Sequence, residues 1–370
     1  MSRIINNAAL RFLIDADDVL YITNQTALNV INAEHNTNFT VQDIKKWGKT
    51  GTLVDERLKL YASPDFMRNL PIYPGATDFI EKLQQIGEVF ITTSVEPQCI
   101  SARAESLGVN FPTVPHSHYL FVTRKDVVEG DVLLDDGAHN ISASKVKYPV
   151  LFRRPWNRHL TGAMAVNNYD DFLHFAWQLG ERPKPIDLNR GGCICLVGPS
   201  CSNKGRIADE LCSEEKFVRP LTFTTRPQRS LDNGYKYVSE KEFIELDNRG
   251  LFIEKTVYGE AMYGTPIKDI DDIVASGNIA VLPIDICGAI SLRNRYGIDK
   301  CLLVFCEREK EAILYDLLSE DEIDIATKVN LISSIDREIQ NISLCNVSVN
   351  AEDTPETIKN DILSVFKPVI

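Results

Sequence analysis

An apolar run, Phe12-Leu13-Ile14, breaks straight into Asp15-Ala16-Asp17-Asp18 and turns apolar again at Val19-Leu20. The run reads as a buried strand of a parallel sheet. Acids at its carboxyl end fall in the crevice where open α/β sheets bind ligands. Asp15 and Asp17, two residues apart, can there aim one carboxylate at a metal and a substrate and the other nearby. The plain alternative is a strand followed by an acidic turn, and the rest of the domain weighs against it. Val89-Phe90-Ile91 closes on Thr92-Thr93-Ser94, and Val132-Leu133-Leu134 closes on Asp135-Asp136. The hydroxyls of Thr93 and Ser94 suit phosphate oxygens, or equally the N-cap of a helix expected from Gln98 to Leu107. Val150-Leu151-Phe152 predicts a fourth strand.

Between the first two strands the spacing predicts a helical insertion. It has a helix around Thr26–Asn32, another opening at Val41–Trp47 and a third over Leu58–Leu70. Trp47 and Phe66 read as core. An amphipathic helix is expected over Ala76–Ile86, ended by Gly87, and another over Tyr169–Leu179. Gly180 to Asp187 contains Pro183 and Pro185, carries charge and has no periodicity, which marks an interdomain linker. The boundaries expected are 1–182, a linker 183–191, and 192–370. A length of 370 residues fits two or three domains.

A second pattern begins at Cys193-Ile194-Cys195-Leu196-Val197 and runs into Gly198-Pro199-Ser200-Cys201-Ser202-Asn203-Lys204-Gly205. Strand, glycine-led loop with lysine, then helix is the layout of a phosphate-binding loop. Ala280–Asp285 and Cys301–Phe305 add two buried strands. The fold class expected is therefore α/β with two domains: a parallel sheet with a helical insertion, then a phosphate-loop domain.

The net charge of −12 excludes a general nucleic-acid polymer binder, because no broad basic footprint is present. Small phosphorylated ligands need only a few local cations. No apolar run approaches the ~18 residues of a membrane span, and Met1–Asn7 lacks a leader pattern. Nine cysteines are scattered without paired metal spacing. Those on strands read as core. A reducing cytoplasm fits this usage.

Asp15 and Asp17, Thr93 and Ser94, Lys125, then Asp135 and Asp136 form an ordered set of acid, hydroxyl, lysine and acid motifs. The set resembles the haloacid-dehalogenase superfamily, and within it the 5′(3′)-deoxyribonucleotidases. Ile91-Thr92-Thr93-Ser94, Thr123–Asp136 and Asn157-Arg158-His159 carry the likeness over about residues 8–180. Asp18 stands where those enzymes usually have glycine. The resemblance implies an aspartyl-phosphate on the nucleophile Asp15 and Asp17 as general acid and base. It implies Mg²⁺ on Asp15, the Asp17 carbonyl and Asp135 or Asp136. Lys125, Thr93 and Ser94 would hold phosphate, and a cap would contact the base and sugar of a nucleoside monophosphate.

Thr222–Arg229, Gly234–Ser239, Leu251–Glu254 and Met262–Pro266 follow the phosphate loop in an order that resembles guanylate kinase, over about residues 192–370. By that resemblance Arg226, Arg229, Tyr235 (or Tyr237) and Tyr263 grip a nucleotide phosphate. Glu254, Thr222 and Asp285 read guanine, and Lys204 serves the phosphates. The partners implied are GMP or dGMP, and ATP. Departures accumulate on the ATP side. Gly205 lacks the hydroxyl that holds Mg²⁺, and Asn203 brings a side chain into the loop. The lid segment Leu318–Asp324 is acidic, without an arginine, and Arg337 is an unmatched cation that would partly compensate. The expectation is a Mg²⁺-dependent nucleotidase fused to a nucleotide-binding domain of weak or no kinase activity. The alternatives are a nucleotidase with an active GMP/dGMP kinase, and a kinase-like half that binds protein.

Overall fold

The computed structural model describes residues 10–45, 48, 50–158, 160–181, 185–228, 234–258, 261–321 and 323–365. Trp47, His159, Arg229 and the linker residues 183–184 lie outside that set. The chain divides into two compact units, residues 1–160 with 165–181, and residues 161–164 with 182–370.

The first unit is built on a six-stranded parallel sheet in the order β3-β2-β1-β4-β5-β6. Its strands are β1 (Leu10–Asp15), β2 (Gly87–Thr93), β3 (Tyr119–Phe121), β4 (Val132–Asp135), β5 (Tyr148–Phe152) and β6 (Ala165–Val166). Ile14 registers with Ile91 on one side and Leu134 on the other. Asp15, Thr93 and Asp135 therefore leave the sheet at one edge. Chain order reverses between β1 and β4, which is where a crevice opens in such sheets. Phe12 packs edge-on against Phe172, and Phe79 stacks on Tyr169 at 4.3 Å, seating the helices Ala76–Gln84 and Tyr169–Gly180.

Three local expectations are corrected. Gly87 does not end a helix but opens β2, where any Cβ would strike the Leu10 carbonyl oxygen. The stretch from Val41 makes a single 3-10 turn, Val41–Asp43, closed by a Thr40–Asp43 capping box. The helix expected over Leu58–Leu70 is two, Arg57–Leu60 and Pro64–Arg68. Pro64 has no N–H to continue the ladder, and the Ser63 hydroxyl caps the new start.

The second unit holds a five-stranded parallel sheet and a smaller four-stranded one. The first runs β15-β14-β7-β13-β8 and the second β10-β9-β12-β11. The strands are β7 (Gly192–Val197), β8 (Phe217–Val218), β9 (Thr222–Thr224), β10 (Tyr235–Tyr237), β11 (Phe252–Tyr258), β12 (Ala261–Pro266), β13 (Ile279–Pro283), β14 (Cys301–Glu307) and β15 (Val347–Asn350). Ile194, Leu196, Val281, Leu302 and Val304 form its core together with Ile207 and Ile358. Leu188 is fully buried in the same core, so the tail of the expected linker packs as part of this unit.

All nine cysteines are free thiols. Cys193 and Cys301 face each other across β7 and β14. Their mutual hydrogen bond, then burial, push the Cys193 thiol far above its ordinary range. Among the described residues no helix is long and apolar enough to cross a membrane.

Candidate functional site

In the first unit Lys125 comes from a 3-10 turn (Lys125–Val127) after β3 and enters the crevice buried. Its Nζ donates to Asp15 Oδ1 at 2.5 Å and to Asp135 Oδ2 at 2.6 Å. Burial pushes the ammonium down, but the Asp135 and Asp15 carboxylates outweigh it and hold the group above its usual value. Asp15 Oδ1 also accepts from the Ala16 N–H. Asp135 Oδ1 takes the Gly137 N–H at 2.7 Å, and Asn140 Nδ2 braces the same carboxylate.

Asp136 Oδ2 accepts from Trp156 Nε1, while its Oδ1 is buried with no hydrogen-bond partner among the described residues. Oxygens of Asp15, Asp135 and Asp136 lie within 4.8 Å of one another. Burial first, against the opposing pull of Lys125, lifts Asp15 to about 7, with Asp135 and Asp17 adding repulsion. Asp136 is raised further, by burial and then by Asp15 and Asp135. Three carboxylates against one ammonium, with an orphaned oxygen among them, make a donor set that fits a hard divalent cation.

The Asp17 carboxylate, expected to work as acid and base with only its carbonyl on the metal, stands outside the three-acid cluster. It pairs with Arg103, Nη2 to Oδ1 at 2.6 Å, and with the Thr23 hydroxyl at 2.7 Å. Thr93 Oγ1 lies 3.4 Å from Asp17 Oδ2. Ser94 is exposed. Neither hydroxyl caps a helix: the next turn, Pro97–Cys99, has Glu96 at its cap and leads into the helix Ile100–Asn110, which has Cys99 at its own. Asp18 adopts φ +55°, the backbone glycine would take without strain. Its buried carboxylate accepts from the N–H and Nδ2 of Asn24, and burial raises it to about 7. Asn24 Oδ1 in turn accepts from Arg57 and Tyr61 of the helical insertion.

Sequence reasoning missed Arg103, Asn140, Trp156 and Asn24. Only Arg103 left a trace. It shares a helical face with Cys99, Ser106 and Leu107, all buried.

In the second unit a cavity of about 1140 Å³ is lined by Lys204, Thr222, Arg226, Tyr235, Glu254, Tyr263 and Asp285. The structure thus brings together every expected residue of this site that it describes. The Arg226 guanidinium lies 4.7 Å over the Tyr235 ring and 5.8 Å over that of Tyr237, and Tyr235 meets Tyr263 edge-on. Glu254 accepts from Thr265 at 3.0 Å, and the Thr256 hydroxyl donates to Asp285 Oδ2 at 2.6 Å. Burial, then Asp285, raises Glu254 to about 8.

The phosphate loop keeps Gly198, at φ +149°, but makes the rest of its turn without glycine. Cys201 and Asn203 stand at φ +62° and +61°, at a cost of about 1–2 kcal/mol each for an ordinary side chain. Asn203 does not crowd the loop as expected, because its amide turns away to the Ala351 carbonyl. Lys204 Nζ folds back onto the Gly198 and Pro199 carbonyls. Arg308 donates to the Cys201 carbonyl at 2.7 Å and pairs with Asp316 and Glu352. Glu320, Asp324 and Glu338 also face the cavity. Arg337 donates to the Thr161 carbonyl and is not part of the lining.

An acid-rimmed parallel sheet with a lysine bridging two of its strand-end carboxylates is the arrangement expected of a haloacid-dehalogenase-like fold in the first unit, and the second has a phosphate-loop layout. Residues 9–178 match the family described as 5′ nucleotidase, deoxy (Pyrimidine), cytosolic type C protein, and residues 190–353 match guanylate kinase. A 5′(3′)-deoxyribonucleotidase of Bacillus subtilis is 30% identical over 131 residues, covering 35% of this chain and 73% of the relative. A guanylate kinase of Clostridium acetobutylicum is 29% identical over 183 residues, 48% of this chain and 85% of the relative. One from Symbiobacterium thermophilum is 36% identical over 112 residues, 29% of this chain and 53% of the relative. The chain belongs, through its first unit, to the 5′(3′)-deoxyribonucleotidase family of phosphatases, and the sequence that follows is similar to guanylate kinases.

Proposed function

We propose that the first unit hydrolyses (deoxy)nucleoside monophosphates with Mg²⁺, and that the second binds GMP or dGMP with little or no kinase activity. The observation that carries the first half is the cluster of Asp15, Asp135 and Asp136 oxygens with the orphaned Asp136 Oδ1. These three would hold the cation, with the Asp17 carbonyl as a further donor. When bound it neutralises phosphate charge that would otherwise repel the nucleophile.

Asp15 Oδ1 is occupied by Lys125 and the Ala16 N–H, so Oδ2 attacks phosphorus. The bond from phosphorus to the nucleoside oxygen breaks, and Asp17 gives that oxygen its proton. Asp17 then takes a proton from the water that cleaves the aspartyl-phosphate, and phosphate leaves with Asp15 restored. Lys125, Thr93 and Ser94 would hold the remaining phosphate oxygens. A screen of nucleoside monophosphates for phosphate release, with and without Mg²⁺, tests this half. No release from any of them would overturn it.

Weak transfer in the second unit is supported by Gly205, which offers no hydroxyl, and by acids where the transferring phosphate needs cations. Arg229 would join the phosphate grip. A fully active kinase is the second reading, favoured by the complete lining on the GMP side. Calorimetry with GMP, then a GDP assay with ATP and Mg²⁺, separates the two readings. We place the boundary between independently folding units within residues 183–191 and the protein in a reducing cytoplasm. The free thiols and the Leu188 packing support these placements.

A further inference from the structure

Arg103 sits in the helix Ile100–Asn110 with no exposure and heads the largest fully buried side chains among the described residues. Only one of its nitrogens is engaged. Nη2 reaches Asp17 Oδ1 at 2.6 Å and Met67 Sδ at 3.1 Å, whereas Nε and Nη1 are buried without a partner. The guanidinium rests 4.5 Å over the Tyr21 ring, whose hydroxyl is held by Ser106 of the same helix. A fork able to grip a carboxylate with two parallel bonds is thus spent on one oxygen. We infer that Arg103 is the positioning residue of Asp17, an assignment that rests on the phosphatase reading above.

Its effect follows from which oxygen it occupies. Arg103 and Thr23 both donate to Oδ1, at 2.6 and 2.7 Å, whereas Oδ2 accepts only a long 3.4 Å contact from the Thr93 hydroxyl, so a proton carried by Asp17 sits on Oδ2. The Thr93 hydroxyl beside it belongs to the expected phosphate site. Arg103 keeps Oδ1 turned inward to the helix and Oδ2 turned to the leaving group. It touches neither nucleophile nor phosphate, so it acts on proton delivery alone.

Leaving groups separate this role from general damage. A nucleoside alkoxide needs Asp17's proton, whereas the phenolate of p-nitrophenyl phosphate leaves without one. The value kcat/KM reports only the steps through phosphoryl transfer, so water activation does not enter it. Arg103→Met should lower kcat/KM on a deoxynucleoside monophosphate by about 100-fold or more, the usual weight of a general acid, and on p-nitrophenyl phosphate by far less. Added to Asp17→Asn it should lower nucleotide turnover no further, since two residues acting as one are non-additive. Arg103→Lys, which keeps a buried cation, should show the same selectivity with a smaller loss, and carries the comparison if the methionine variant does not fold. Equal losses on both substrates, no loss on either, or additivity with Asp17→Asn would overturn the assignment. A wild-type enzyme inert towards both esters would instead bring down the phosphatase reading, and this inference with it.

Discussion

Trp156 Nε1 donates to Asp136 Oδ2 at 2.9 Å, while Oδ1 is buried and unpaired among the described residues, in a carboxylate that clusters with those of Asp15 and Asp135. A buried oxygen without a donor destabilises a fold by about 1–3 kcal/mol. A bound cation would remove that cost and the repulsion among the three acids. Mg²⁺ is therefore expected to raise the melting temperature of the intact chain, and Asp136→Asn to abolish the rise. Calorimetric scans with Mg²⁺ and with EDTA measure this without any substrate. Identical melting in both would count against a cation at this cluster.

Asp15→Asn should lower phosphate release on the order of 10³-fold or more, as losing a nucleophile does elsewhere. The same change should stabilise the metal-free protein. Asp15 titrates at about 7 when folded, against an ordinary 3.8. The folded state therefore binds the proton more tightly, and stability is lost as pH rises through about 7. A neutral amide escapes that loss. At pH 8 in EDTA, denaturant midpoints should place Asp15→Asn at or above wild type. A clearly lower midpoint would contradict the electrostatics described for the site.

Glu254 makes GMP binding depend on pH. A carboxylate accepts from the guanine N1 and N2 hydrogens, and the protonated acid cannot accept from both. Burial and Asp285 hold the acid at about 8 in the free protein. Binding must expel that proton, so affinity should rise with pH by up to about tenfold per unit below 8 and level off above it. Titrations between about pH 6.5, above the second ionisation of a phosphate ester, and 8.5 measure this. Glu254→Gln should remove the slope, and a flat wild-type profile would refute the base-reading role.

The phosphate loop should tolerate restoration. Cys201→Gly relieves a left-handed backbone and is expected to stabilise the unit by about 1 kcal/mol. Gly205 lies in the helix Lys204–Leu211 with open space around a would-be Cβ, so Gly205→Ser should fit and also stabilise slightly. Neither change alone is expected to yield GDP at ordinary kinase rates, because Glu320, Asp324 and Glu338 are untouched. Thermal unfolding and a coupled GDP assay check both parts.

Strand-end chemistry was legible from the sequence because apolar runs that stop on acids or hydroxyls define both the sheet and its edge. Asp15, Lys125, Asp135 and Asp136 converge for that reason. The lining of the second cavity was legible through the order of its motifs. What stayed hidden depends on orientation. Nothing in the sequence says that Asp17 turns to Arg103 while Asp136 turns to Trp156, since both are acids in acidic turns. A single arginine within Ile100–Asn110 reads as a solvated face unless its register with Cys99, Ser106 and Leu107 is weighed, and that register does not name its partner. Asn24 touches both Asp18 and the insertion only because the chain returns over thirty residues later with Arg57 and Tyr61. The broken helix at Pro64 was readable, because proline in a helical pattern marks a start as readily as an interior.

The thiols of the second unit carry a consequence for handling the protein. Cys193, Cys195, Cys301 and Cys306 are fully enclosed, and burial disfavours the reactive thiolate. In the native state they are silent towards alkylating agents and air. Unfolding of this unit opens its eight thiols in a chain with no disulfide to guide its return. Heating in air should then end in mixed disulfides and precipitate, and a second scan should recover the transition only when a reductant was present throughout.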